Sequence, residues 1–448
     1  MTATRNACKL CTPLGAAWAF KGVAGAVSLL HGSQGCSTYI RRYMISHFRE
    51  PMDIASSNFT EETAVFGGKS NLHTALDNLE SQYHPSLIAV ATTCLAETIG
   101  EDMPRILREY QEGRTSRGLS PLPLIWVSTA AYRGTHADGF QASLRAMVSQ
   151  LCTATEPRDR INLFPGMVSP EDLRYLKSLC RGFGLDPVIL PDYSRTLDGG
   201  PWKDWTAIPP GGTGLHIIRQ AGGSTASLEF TGIYTGSQTP AGWLEENLQV
   251  PRKVMPMPLG LELSDRLTAE LENLSGLEAP DWIEDERDRL ADAYADAHKY
   301  LQGRKAMVYG EEDLALSLSL FLREIGITPV LVATGGQKGR LESAMEANWP
   351  GYTTQGVKVV SEVDFMDMEE TALGLTPNII LGHSKGYKLA KTLKVPLLRL
   401  GFPVHDRFGG ARISHIGYRG TLSLLDRIVN TLLEEEQSMN PVGYTYFG

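Results

Sequence analysis

No apolar run in the 448 residues approaches the roughly 18 that a membrane-crossing helix needs, which argues against a transmembrane protein. Positive charge is in deficit too. Forty-two Lys and Arg face 51 Asp and Glu, the net charge is -9, and no basic stripe stands out, so nucleic acid is not an expected partner. Cysteine is sparse: Cys8, Cys11, Cys36, Cys94, Cys152 and Cys180 are all there is, far too few for a disulfide scaffold. Gly-x-x-x-x-Gly-Lys-Ser/Thr does not occur, so any ATP hydrolysis must belong to another protein. No repeat of solenoid type is found. Residues 1–8 lack the long apolar core of a signal peptide, and the expected location is cytoplasmic.

What is there is an ordinary globular composition, 42% hydrophobic and 21% charged, and a steady alternation of short apolar runs with longer periodic ones. Strand-like runs cover 24–30, 51–57, 87–92 and 124–128, with helical patterns at 36–47, 71–83, 103–110 and 139–151 between and after them. The alternation resumes with strands at 161–164, 188–191, 226–230 and 253–257 and helices at 169–182, 215–221 and 241–248. A charged helix over 284–301 reads as a connector. Strands at 306–309, 329–333, 357–361, 378–381 and 395–400 follow, with helices over 312–326 and 422–435. Such alternation predicts an α/β protein of three Rossmann-like, doubly wound domains with parallel sheets, divided at 1–160, 161–285 and 286–448. The Gly-, Pro- and Trp-rich run 199–214 reads as a surface loop.

Four of the six thiols fall in the first 94 residues, and in a reducing compartment clustered thiols read as metal-binding or catalytic. Cys11, Cys36 and Cys94 each stand beside a turn at the end of an apolar run. Gly32 and Gly35 allow a tight loop whose amides can approach sulfide, and Cys94 follows a buried-type strand, where ligands of parallel sheets gather. We read the three as one iron–sulfur site. The spacings, 25 and 58 residues, match no compact ferredoxin motif. Three thiolates leave a cubane one ligand short, so either Cys8 or a second chain completes it. Cys8-Lys-Leu-Cys11 could also be a redox dithiol or half of a zinc site, although no second such pair exists. Cys152 and Cys180 read as plain buried thiols.

Several stretches go further than local context. Cys11-Thr-Pro-Leu-Gly-Ala, His31-Gly-Ser-Gln-Gly-Cys36, His47-Phe-Arg-Glu-Pro51, Thr60-Glu-Glu-Thr-Ala-Val-Phe-Gly-Gly68 and Thr92-Thr-Cys-Leu-Ala-Glu-Thr-Ile-Gly-Glu-Asp102 closely resemble the β subunit of the nitrogenase catalytic component. The resemblance returns in Gly382-His-Ser-Lys-Gly386 and Pro396-Leu-Leu-Arg-Leu-Gly-Phe-Pro-Val-His-Asp-Arg407. It implies that Cys11, Cys36 and Cys94 are this chain's half of a P-cluster-type 8Fe-7S cluster, the other half coming from an α-like (D-type) catalytic subunit in an α2β2 heterotetramer. It also implies a transient partner, an ATP-dependent iron protein, docking where Phe66 lies; the plainer reading of Phe66 is a core aromatic. The substrate-reducing metallocofactor would sit in the α-like subunit.

Three departures from molybdenum nitrogenase β subunits refine this. The sequence begins almost at Cys11, where those subunits carry a long N-terminal extension. Their cluster-adjacent serine before Gly-Ser-His is matched here by Ala131, ahead of Gly134-Thr135-His136, which argues against redox-linked serine ligation, although Ser128 and Thr129 are near. Residues 401–420 are more similar to the N-type cofactor-assembly scaffold subunit, which usually keeps only the Cys36-type ligand. A short chain with all three ligands fits the nitrogenase-like reductases, and methylthio-alkane reductase, which cleaves C–S bonds of volatile organic sulfur compounds, is the expected kind. The alternatives are a dinitrogen-reducing β subunit and the assembly scaffold.

Other side chains keep two readings each. His31 either hydrogen-bonds toward the cluster or supports its loop. Arg41, Arg42 and Arg49 either form ion or subunit contacts or are solvated helix charges. His383 and Lys385 stand at a strand-to-helix junction, where an anion could bind.

Overall fold

The computed structural model describes residues 7–441; the terminal residues 1–6, on which part of the signal-peptide reading rests, lie outside the described residues. Among the described residues, thirteen strands form three sheets, parallel throughout. The first holds β1 (Ala26–His31), β2 (Ile54–Ser56), β3 (Leu87–Thr92) and β4 (Leu124–Val127) in the order β2-β1-β3-β4. The second holds β5 (Arg158–Phe164), β6 (Pro187–Ile189), β7 (Ser224–Phe230) and β8 (Arg252–Met255) in the order β6-β5-β7-β8. The third runs β11-β10-β9-β12-β13, from β9 (Lys305–Gly310), β10 (Thr328–Thr334), β11 (Lys358–Val360), β12 (Ile379–Gly382) and β13 (Leu397–Arg399).

Parallel sheets need cover on both faces, so their central strands are apolar without alternation. Accordingly β1 and β3 are buried at every residue. In each sheet the winding direction reverses beside the first strand: at β1/β3, β5/β7 and β9/β12. Ligands of such sheets collect outside the strand C-termini at that reversal. One apolar core runs from Leu14 and Phe20 through Phe230 to Phe321 and Leu424, joining all three sheets.

Among the described residues, no helix is long and apolar enough to cross a membrane. Six helices are absent from the sequence reading: Thr12–Phe20, Cys94–Thr98, Leu261–Ser275, Arg340–Asn348, Phe365–Ala372 and Tyr387–Leu393. The first matters most, because it corrects the placing of Cys11: the thiol opens an apolar helix and does not end an apolar run. Every residue of Thr12–Phe20 is buried, so it has no polar face and no 3.6-residue stripe to betray it. It packs on helix His136–Leu151 with the two backbones almost touching. A Cβ on Gly15 would lie 1.7 Å from the His136 carbonyl oxygen, and one on Gly139 would lie 1.9 Å from that of Thr12. Only glycine fits at either position.

The predicted connector is helix Asp281–Leu301, which lays Ile283, Leu290, Ala297 and Leu301 inward and packs against the closing helix Gly417–Met439.

Candidate metal centre

Each of the three early thiols stands in the first turn of a helix. Cys11 is the N-cap of Thr12–Phe20, Cys36 is the third residue of Gln34–Phe48, and Cys94 is the first residue of Cys94–Thr98. Backbone amides left free at helix starts are available to donate to sulfur or sulfide. Topology brings two of them together. Cys36 follows β1 and Cys94 follows β3, the adjacent strands at the reversal of the first sheet, where His31 pairs with Thr92. The two loops then touch. The Thr93 amide and hydroxyl both donate to the His31 carbonyl, each at 3.1 Å, and a Cβ on Gly32 would fall 1.9 Å from the Thr93 hydroxyl oxygen.

Cys11 joins them from the helix packed on His136–Leu151. Burial and the neighbouring Cys94 and Cys36 sulfurs push its thiol above the ordinary value, against the pull of the Lys385 ammonium. Three thiolates held near one another repel unless positive charge sits among them, and metal ions supply that charge. Among the described residues no three His, Cys, Asp or Glu side chains converge on a point suited to a single ion, so the three sulfurs do not form a single-ion site. Soft sulfur donors are what iron–sulfide clusters take. The chain's own donors add to the set: the Ala131 amide donates to the Cys94 sulfur at 3.3 Å, and the Ser33 hydroxyl lies 3.7 Å from that of Cys36.

Exposure divides the six cysteines evenly. Cys11, Cys36 and Cys94 are part-exposed, whereas Cys8, Cys152 and Cys180 are buried. Burial pushes each of the latter thiols up to about 12. The Cys152 thiol donates to the Ile218 carbonyl at 2.9 Å, and Cys180 packs in the main core. Cys8 lies in a separate apolar cluster with Met307, Tyr309 and Phe365 on the third sheet, its sulfur 3.8 Å from His383 Nε2. The surroundings of Cys8 are those of a thiol packed against the third sheet.

The remaining residues resolve as follows. His31 is fully buried at the end of β1. Its Nδ1 lies 2.9 Å from the Ser57 hydroxyl, which also accepts from the Gly32 amide at 3.0 Å, and Phe59 stands edge-on to the ring. It therefore supports the Cys36 loop, and burial holds its pKa down to about 4. Arg41 donates to the Ile54 carbonyl and Arg49 to that of His405. Lys385 donates to the Ala7 carbonyl, beside the approach to Cys11. Ser128 accepts from Arg133, and the Thr129 hydroxyl donates to the Thr92 carbonyl at 2.6 Å. Phe66 ends the short helix Glu61–Phe66, 83% exposed with Val65 at 75%, so the core-aromatic reading is overturned. Sequence reasoning met His136 only as part of Gly134-Thr135-His136 and gave it no role; its Nδ1 accepts from the Leu10 amide at 3.4 Å and so holds the residue before Cys11.

Comparison with known proteins agrees with this architecture. The family profile described as nitrogenase component 1 type oxidoreductase matches residues 11–433. The nitrogenase molybdenum-iron protein β chain of Clostridium pasteurianum is 34% identical over 432 residues, 96% of this chain and 93% of that one. The nitrogenase iron-molybdenum cofactor biosynthesis protein NifN of Bradyrhizobium diazoefficiens is 32% identical over 444 residues, covering 97% and 91%. Among solved structures, a chain of nitrogenase Cp1 at pH 6.5 superposes with a TM-score of 0.94 at 32% identity, covering 100% of this chain and 97% of that one. A chain of nitrogenase Cp1 at pH 5 is 16% identical with a TM-score of 0.70 and shares the fold. With profile, length, fold and identity in accord, this chain belongs to the nitrogenase component 1 type oxidoreductases, and its relatives there include β chains.

Proposed function

We propose that this chain is the β-like subunit of a nitrogenase-like reductase, with Cys11, Cys36 and Cys94 holding one half of a P-cluster-type 8Fe-7S cluster. The observation that carries this reading is the even split of the thiols: three part-exposed at helix starts and electrostatically coupled, three buried. Part-exposed thiols suit a group completed by a second chain, and we assign the other half to an α-like (D-type) subunit of an α2β2 heterotetramer. When bound, such a cluster supplies electron storage and transfer. The chain's own residues hold the three sulfurs at helix starts, donate to Cys94 from Ala131, and keep Gly32 and Thr93 in register so that the two loops stay closed. The exposed Val65–Phe66 corner is where we place docking of the ATP-dependent iron protein. Nucleic acid and membrane have no part in this reading, the domains divide at residues 160 and 285, and a chain of free thiols suits the reducing cytoplasm.

We assign the complex to C–S bond reduction of methylthio-alkanes, in which two electrons and two protons turn a C–S bond into C–H and S–H. The combination of three thiols with Ala131 in the serine position supports it. Two other readings draw on particular relatives: dinitrogen reduction on the β chain of Clostridium pasteurianum, and cofactor assembly on the NifN protein of Bradyrhizobium diazoefficiens. The deciding experiment purifies the complex without oxygen, with its α-like and iron-protein partners, and offers methylthio-alkanes, dinitrogen and an apo-enzyme in turn. Thiol and alkane products support the proposal. Ammonia supports the first alternative, and cofactor transfer without turnover supports the second.

A further inference from the structure

A cavity of about 40 Å³ lies where segments of all three sheets' units meet, walled by His47, His136, Asp172, Glu311, Phe402 and His415. It sits outside the C-termini of β5, β9 and β13, away from the three thiols in sequence and in its wall. Its histidines are set in definite tautomers by their outer nitrogens. His47 Nδ1 accepts from the Val404 amide at 2.9 Å, and His136 Nδ1 accepts from the Leu10 amide. Each of these imidazoles, kept neutral by burial, therefore carries its proton on Nε2. His415 is turned the other way: its Nδ1 faces the Asp172 carboxylate at 3.3 Å and donates to it. Within the protein, the Nε2 atoms of His136 and His415 are both fully buried and without a hydrogen-bond partner. Two walls thus each present a buried ring nitrogen without a partner, and a buried polar atom left unpaired is destabilising.

We propose that this cavity is an ordered-water site, and that water bridging His136 Nε2–H to His415 Nε2 fixes the His136 ring and, through it, the Leu10 amide next to Cys11. The volume suits the assignment: a buried water needs about 10–15 Å³ of such space and two to four polar partners, so two or three molecules fit. The unpartnered, buried Nε2 atoms of both rings give the occupant hydrogen-bonding positions on two walls. Water there ties the start of helix His136–Leu151 to the segment after residue 410 that caps helix Pro170–Gly182 at Asp172.

The test uses the anaerobically assembled complex. A high-resolution structure should show water within about 3.2 Å of both Nε2 atoms; a dry cavity, or rings turned from it, would overturn the proposal. Ala411→Val probes the same site without touching any of these hydrogen bonds, because Ala411 lines the cavity and its methyl is replaced by a larger group. Displacing the water should raise the exchange rate of the Leu10 amide about tenfold while the far-UV spectrum is unchanged. An unchanged rate together with a higher melting temperature would mark the cavity as a dry apolar void and contradict the assignment. Neither readout depends on iron, so failure here leaves the thiol site standing, and iron-free thiols leave this site standing.

Discussion

The backbone amide of Ala131 points at the sulfur of Cys94 across 3.3 Å, joining the turn after β4 to the helix after β3. Hydrogen bonds to cluster sulfurs stabilise the reduced, more negative state and raise the reduction potential. Ala131→Pro removes this donor. The midpoint potential of the cluster should fall, as read by an EPR-monitored titration of the complex. An unchanged potential would mean that the amide does not act on the cluster.

The glycine contact that sets Cys11 is open to a stability test. In Gly139→Ala the new methyl meets the Thr12 carbonyl, and helix Thr12–Phe20 must move off helix His136–Leu151. Overpacking against backbone should cost about 3 kcal/mol, visible as a lower denaturant midpoint. An unaffected midpoint would show that the two helices can separate freely.

Acid sensitivity follows from buried neutral imidazoles. Burial holds His47 at about 3, well below its ordinary 6.5. Between these values the unfolded chain binds the proton and the folded chain does not, so stability falls as pH drops from 6.5. Glu312 works in the opposite sense, because burial raises its carboxyl to about 7 and the folded chain binds that proton first. The histidine part is isolated by difference. His47→Gln should flatten the slope of unfolding free energy between pH 6 and 4 by about 1.4 kcal/mol per pH unit. Parallel slopes for the two proteins would exclude a buried neutral His47.

Phe66 should matter to partners and not to folding. At 83% exposure its removal changes little inside the chain. Phe66→Ala should therefore stay within about 0.5 kcal/mol of the parent in stability. If it anchors the iron protein, electron delivery at limiting iron protein should fall about 30-fold, the loss typical of a central aromatic contact. Full turnover would remove Phe66 from the docking surface.

The parts of the fold legible in the sequence are those with a one-dimensional signature. β1 and β3 are mainly apolar runs without alternation, and Ser169 opens its helix with a capping box whose Asp172 answers three residues on. Helix Thr12–Phe20 has no such mark, since burial on every side erases periodicity. Helices such as Tyr387–Leu393 are too short for their pattern to rise above the flanking loops. At the site, glycine loops and strand ends flag Cys36 and Cys94 one at a time. Their meeting depends on which strands are neighbours, a long-range fact that a spacing of 58 residues does not encode. The same holds for His136, which reaches Leu10 across 126 positions.

The central claim is that Cys11, Cys36 and Cys94 grip iron at a boundary with a second subunit. An iron-edge anomalous difference map of the complex, assembled and crystallised without oxygen, tests it directly. The account predicts a multi-iron peak within bonding reach of all three sulfurs, about 2.3 Å for iron as for other thiolate-bound metals, with protein of the partner on its far side. Three sulfurs without anomalous density, or with solvent where the partner should be, would contradict it.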